Sequence, residues 1–219
     1  MPRIRAAVFD LGGVLIDWDP RHLYRKVFGS DEAAMERFLA TVCTTEWNAE
    51  QDRGRPFSEA IAELAADAPE HRANIEAYFE RWGEMLGGQI PGTESELIEL
   101  RSAGIRLYGL SNWSAETFPI AVDRFPCLSM FDGIVVSGSE GVTKPDPAIF
   151  EILCERYGLD PAACLFVDDA PANVRAARVA GFVHAIDFTS AEDLRARLRE
   201  LRVIGAVDVR LWRVAPFVQ

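Results

Sequence analysis

Apolar positions along the chain fall into two regimes. Residues 4–9, 105–110, 134–136 and 165–167 form short, nearly unbroken apolar runs, and each leads into polar residues at its far end. Runs of this length suit strands, and those at 105–110 and 164–167 have the unbroken character of strands covered on both faces. Between them, apolar residues recur at helical spacing. After Pro91-Gly92 the expected order is helix 94–102 stopped by Gly104, strand 105–110, helix 114–123, strand 133–136 and helix 147–157. Strand 164–167, helix 171–180, strand 183–186 and helix 191–201 follow. This alternation predicts an α/β fold, a Rossmann-like parallel sheet with helices on both faces.

The stretch from about residue 17 to 89 has little strand character and reads as helices. Asp31 is placed to cap a helix through Cys43, with Met35, Phe38, Leu39 and Val42 on one face, and the pattern repeats over 58–66 and 70–86. The turn Asp52-Arg53-Gly54-Arg55-Pro56 separates two of these helices. The expected organisation is therefore a core from 1–17 and 90–201, with a small all-α unit inserted after the first strand at 18–89. The apolar, partly alternating tail 202–219 is expected to pack on the core or to contact a partner.

Composition narrows the partners. A chain of 219 residues, 49% of them hydrophobic, suits one buried α/β domain with a modest insert. A net charge of −11 disfavours nucleic acid and anionic membrane surfaces, both of which require a basic footprint. Asp10 interrupts the N-terminal apolar stretch, and no window approaches the ~18 apolar residues of a membrane span. Cys43, Cys127, Cys154 and Cys164 show no C-x-x-C pair, so a reducing, cytoplasmic setting is expected. His22, His71 and His184 show no metal-ligand spacing.

The polar residues that end the strands carry the candidate chemistry. Ligands of open parallel sheets bind outside the carboxyl ends of the strands, which would bring Asp10, Ser111-Asn112, Lys144 and Asp168-Asp169 to one crevice. An acid, a hydroxyl, a lysine and an acid pair suit a phosphate bound with Mg²⁺. Carboxylates are hard oxygen ligands for that ion, and a lysine neutralises phosphate charge. Asp169, just before Pro171, equally suits a helix N-terminus. The segment 138–144 superficially resembles a P-loop, but its spacing is short and Pro145 stands where a hydroxyl residue is needed. In the insert, Trp18, Trp47, Asn48, Gln51 and Arg53 combine aromatic faces with hydrogen-bonding groups and are candidates for substrate specificity.

The segments FDLGGVLID (9–17), LSN (110–112), KPDP (144–147) and FVDDAPAN (166–173), in this order, resemble the haloacid dehalogenase (HAD) superfamily. The resemblance covers residues 4 to about 200 and is closest to the phosphatase-like branch with a helical, C1-type cap. It implies a Mg²⁺-dependent phosphomonoesterase acting on a small phosphorylated metabolite, sugar phosphates first. Asp10 would be the nucleophile, giving an aspartyl-phosphate. Asp10, the backbone carbonyl of Gly12, Asp168 and Asp169 would hold Mg²⁺; Ser111, Asn112 and Lys144 would bind phosphate; Asn173 would orient the acid pair.

The chain departs from that pattern at Gly12, where these phosphatases usually carry the acid that protonates the leaving alcohol. A leaving group that departs easily, a bound water or another carboxylate could compensate, and Asp17 is the nearest carboxylate in sequence. Two alternatives stand beside the phosphatase. One is a 2-haloacid dehalogenase, which would use Asp10 without metal; the other is a catalytically weak phosphate-binding protein.

Overall fold

The computed structural model describes residues 3–205. Strand β1 (Ala6–Phe9) leads through a tight loop to β2 (Ile16–Trp18), after which come five helices: α1 (Arg21–Phe28), α2 (Glu32–Thr41), α3 (Thr45–Asp52), α4 (Phe57–Asp67) and α5 (Arg72–Glu80). Strand β3 (Leu86–Gln89) returns the chain to the core. There α6 (Thr93–Ser102), β4 (Arg106–Ser111), α7 (Phe118–Arg124), β5 (Gly133–Val136), α8 (Ser137–Glu140) and α9 (Pro147–Tyr157) follow. The described chain closes with β6 (Cys164–Asp168), α10 (Pro171–Val179), β7 (His184–Asp187) and α11 (Ala191–Glu200).

Five strands form one parallel sheet in the order β5-β4-β1-β6-β7, so the expected Rossmann-like α/β architecture is present. Strand β1 lies at the centre and its side chains alternate between the two faces, as the period of two demands. Ala7 and Phe9 join Leu97, Leu100, Leu194 and Leu198 of α6 and α11. Ala6 and Val8 join Ile149, Phe150 and Leu153 of α9, Ala177 of α10, and Phe182. Because β1 sits between β4 and β6, the ends of all three strands meet at the point where the strand order reverses, the usual position of a ligand crevice.

The insert is not helical throughout. Its two ends pair as an antiparallel ribbon, Ile16–Trp18 with Leu86–Gln89. Strand β3 reads LGGQ, in which the two glycines lower strand propensity, and geometry supplies a reason for Gly87. A Cβ at Gly87 would lie 2.1 Å from Asp17 Oδ2, so any other residue there would displace the Asp17 side chain. The helix expected over 70–86 is also divided. A 3-10 turn at Pro69–His71 precedes α5, a second at Trp82–Met85 follows it, and Leu86 belongs to the ribbon. The helix expected from 114 starts instead at Phe118, with Pro119 in its first turn, where a missing N–H costs nothing. Elsewhere the pattern holds closely: Asp31 caps α2 by accepting from the Ala34 amide at 2.9 Å.

The five helices enclose an aromatic cluster in which Tyr24 packs on Phe38 with centroids 4.9 Å apart and Trp47 on Tyr78 at 5.0 Å. These side chains are continuous with the core on the α6/α11 face of the sheet. Of the tail, Ile204 is buried against that core, whereas residues 206–219 lie outside the described residues. Among the described residues no helix is long and apolar enough to cross a membrane.

Candidate active site

The residues at the strand ends converge. The Asp10 backbone N–H, one residue beyond β1, donates to the Val167 carbonyl at 2.8 Å, which sets the Asp10 side chain beside that of Asp168. Asp10 Oδ1 accepts from the Leu11 amide at 2.7 Å and from Ser111 Oγ at 3.0 Å. The Lys144 ammonium, buried with no exposed side-chain surface, bridges Asp10 Oδ2 at 3.0 Å and Asp168 Oδ2 at 2.7 Å. Asp168 Oδ1 accepts from the Ala170 amide at 2.9 Å and from Asn173 Nδ2 at 3.0 Å. Asn173 therefore orients Asp168. Asn112 engages both ends of its amide on the Lys144 backbone, donating to the carbonyl at 2.9 Å and accepting from the amide at 2.8 Å. It fixes the loop that delivers the lysine.

Carboxylate oxygens of Asp10, Asp168 and Asp169 all lie within 4.8 Å of one another, and such hard, anionic donors fit Mg²⁺. The backbone turn makes room for the third of them. Gly13 has φ +73°, and a Cβ there would lie 2.2 Å from Asp169 Oδ2. Gly12 is different, since a Cβ added to it meets nothing within 4 Å among the described residues. Crowding the acids has an electrostatic cost. Burial raises the Asp10 carboxyl to about 7; Lys144 opposes the rise, and Asp168 and Asp169 add to it. Burial, then the charge of Asp168, also pushes Asp169 up. For Lys144 burial works downward, but the two aspartates outweigh it and hold the ammonium above its ordinary range.

A model of the haloacid dehalogenase-like hydrolases matches residues 4–181. The chain belongs to that family. This hydrolase is 29% identical over 180 residues to a sesquiterpene phosphatase of Aspergillus oryzae, covering 82% of the chain and 87% of the relative. It is 29% identical over 189 residues to human N-acylneuraminate-9-phosphatase, covering 77% and 75%. It also matches mouse acyl-CoA dehydrogenase family member 10 at 29% identity over 94% of this chain, but it spans only 20% of that longer protein. In fold it is similar to a HAD family enzyme of Bacteroides thetaiotaomicron, with TM-score 0.71, 22% identity and coverage of 89% and 98%. An L-2-haloacid dehalogenase of Xanthobacter autotrophicus shares the fold at TM-score 0.59 and 22% identity, with coverage of 90% and 83%.

Beside the Gly12 and Asn112 loops lies a cavity of about 60 Å³ lined by Gly12, Trp18, Asn48, Asp52, Trp82, Asn112 and Trp113. Of the insert residues expected there, Trp18 and Asn48 are present. Trp47 is not, because its ring fills the aromatic cluster against Phe57 and Tyr78. Gln51 is fully buried and its amide nitrogen donates to the Trp47 carbonyl. Arg53 pairs with Glu50 at 2.8 Å and reaches Thr143 Oγ1 at 3.4 Å, a bridge from insert to core. Asp17 is not among the lining residues either; its carboxylate pairs with His22 Nε2 at 2.9 Å on the exposed side of the ribbon. Sequence reasoning missed Asp52, Trp82 and Trp113. The spacing of Asn48 and Asp52, one helical turn apart, was the one available signal for Asp52.

Proposed function

We propose that this hydrolase is a Mg²⁺-dependent phosphomonoesterase of small phosphorylated metabolites, with Asp10 as nucleophile. The observation that carries the reading is the gathering of Asp10, Asp168 and Asp169 within 4.8 Å beside a buried lysine. Three clustered acids would repel one another in a metal-free dehalogenase site, whereas around a divalent cation they are matched. Asp10, Asp168, Asp169 and the Gly12 carbonyl would hold Mg²⁺, which when bound supplies positive charge to neutralise phosphoryl oxygens. The phosphatases among the relatives, named for a sesquiterpene and for an acylneuraminate 9-phosphate, support the same reaction class.

Each residue has a separable task. Asp10 Oδ1 is held by the Leu11 amide and Ser111, so the carboxylate is oriented before a substrate arrives. Its attack on phosphorus gives an aspartyl-phosphate, which water then hydrolyses, dividing one difficult displacement into two easier ones. Lys144 bridges Asp10 and Asp168 at close range and would neutralise charge on the transferring group. Ser111 and the amides of the Ser111-Asn112 turn would receive phosphate oxygens.

Sugar phosphates are the favoured substrates. The 60 Å³ cavity admits little beyond the scissile bond, but Trp18 and Asn48 also line a larger groove of about 460 Å³. That groove presents Asp19, Arg21, Glu36, Thr44 and Thr45, donors and acceptors suited to several hydroxyl groups. The test is phosphate release from an activated aryl phosphate and a sugar-phosphate panel, with Mg²⁺ or EDTA, for wild type and Asp10→Asn. Release that needs both Mg²⁺ and Asp10 is expected. Chloride release from 2-chloropropionate without metal, with no phosphatase activity, would move the assignment to the dehalogenase.

A further inference from the structure

We propose that Asp52, which the cap places in one cavity with Gly12, donates the proton to the leaving oxygen and so takes the place of the side chain that Gly12 lacks. This rests on the phosphatase reading above. Space and chemistry both point to it. The position at Gly12 where a loop acid would project is open, with nothing among the described residues within 4 Å of a Cβ there. The cavity at that point is lined by one carboxylate among the described residues, that of Asp52; its other lining groups are indoles, two asparagines and Gly12 itself. Trp18 and Trp113 belong to the same lining, and among the described residues their Nε1 atoms are buried without a hydrogen-bond partner.

The backbone around Asp52 is anchored to the core. Asp52 is the last residue of α3, and its carbonyl accepts from Ser137 Oγ, which in turn accepts from the Trp113 amide at 2.9 Å. Ser137 is fully buried. Next to this link, backbones pack without room for side chains. A Cβ on Gly54 would lie 2.9 Å from the Gly138 carbonyl oxygen, and one on Gly138 would lie 2.5 Å from the Ala115 nitrogen. The Phe57 amide donates to Glu116 at 2.8 Å, closing the junction on its far side. The end of α3 thus rests on the loop that follows Ser111-Asn112.

The carboxyl itself is oriented from within the cap. Tyr78 Oη donates to Asn48 Oδ1 at 2.9 Å, and Asn48 Nδ2 donates to Asp52 Oδ2 at 2.9 Å. Among the described residues, the groups that act on Asp52 include no cation. Burial raises it to about 7, the Ser114 backbone opposes this, and the negative charge of Asp10 adds to it. Tyr78 is raised above its ordinary range, so it stays a neutral phenol. Arg53, next in the chain, turns to Glu50. A carboxyl in these surroundings is able to hold a proton near neutral pH and release it to an alkoxide.

The proton cycle closes. Asp10 attacks phosphorus, the bond from phosphorus to the substrate oxygen breaks, and that oxygen takes the Asp52 proton and leaves as an alcohol. Asp52, now a carboxylate, removes a proton from the water that attacks the aspartyl-phosphate. Asp10 returns as a carboxylate, inorganic phosphate leaves, and Asp52 is protonated again.

The experiment compares wild type, Asp52→Asn and the double variant Gly12→Asp/Asp52→Asn on aryl and alkyl phosphates of rising leaving-group basicity, from pH 5 to 9 with Mg²⁺. Asp52→Asn should lower kcat on alkyl phosphates by about 10² to 10⁴, the usual worth of general acid catalysis, and lower it much less on p-nitrophenyl phosphate. It should abolish the fall in rate above pH 7 and leave Mg²⁺ affinity by titration calorimetry unchanged. The double variant should recover alkyl phosphates, because the Gly12 position has room for an acid. Equal losses on good and poor leaving groups, with an unaltered pH profile, would overturn the role of Asp52 while the phosphatase reading stands. Absence of phosphate release from wild type, or release that persists in Asp10→Asn, would overturn both. Should Asp52→Asn not fold, Asp52→Ser carries the same comparison.

Discussion

Asp52→Asn should change how the stability of the metal-free protein depends on pH. Burial holds the carboxyl at about 7, against an ordinary 3.8. An unfolded chain therefore releases this proton near pH 4, and the folded chain keeps it until about pH 7. Between those values the folded state binds more protons than the unfolded one, so stability falls as pH rises through the window and levels off above it. At 1.36 kcal/mol per pH unit the full gap amounts to about 4 kcal/mol. Asp52 is half-buried, and water screens part of this, which leaves about 1 to 3 kcal/mol. The asparagine has no proton to lose but retains the shape and the bond to Asn48. Relative to wild type it should be level near pH 4 and more stable by that amount at pH 8. For a chain of this length the gain corresponds to roughly 5 °C in Tm. Thermal melts followed by circular dichroism in EDTA, at half-unit steps from pH 4 to 8.5, measure the difference. Asp10 gives both proteins the same falling trend, so its contribution largely cancels. Parallel Tm curves for the two proteins would refute the reasoning, because Asp52 would then ionise in the folded protein as it does in water.

Three further outcomes follow from the packing. Gly13→Ala places a Cβ 2.2 Å from Asp169 Oδ2 at φ +73°, so it should lose about 1–2 kcal/mol of stability and roughly 10- to 100-fold in Mg²⁺ affinity by calorimetry. Lys144→Met leaves Asp10 and Asp168 facing each other without their shared cation and should lose about 3–5 kcal/mol in urea unfolding, with part of the loss recovered by Mg²⁺. Ser137→Ala deprives the buried Trp113 amide of its acceptor and frees the Asp52 carbonyl. It should cost about 1–3 kcal/mol and speed proteolytic cleavage near residues 53–56, read by mass spectrometry.

The chain's own pattern determined the sheet, the alternation of helix with strand, and the gathering of Asp10, Ser111, Lys144 and Asp168 at one edge. Each of these depends on short-range information: apolar runs mark the strands, and the polar residue that ends a strand in a parallel sheet has one place to go. The LGGQ ribbon was hidden because Gly87 passes against Asp17, 70 residues earlier in the chain. Trp47 and Trp18 look alike in sequence, yet one fills the aromatic cluster and the other lines the cavity. Asp52 reads as part of a turn, and its place in one cavity with Gly12 depends on a hydrogen bond to Ser137, 85 residues away. Periodicity reports which face of an element is buried; which group a buried face meets is set by packing between distant segments, and only the tertiary structure decided that.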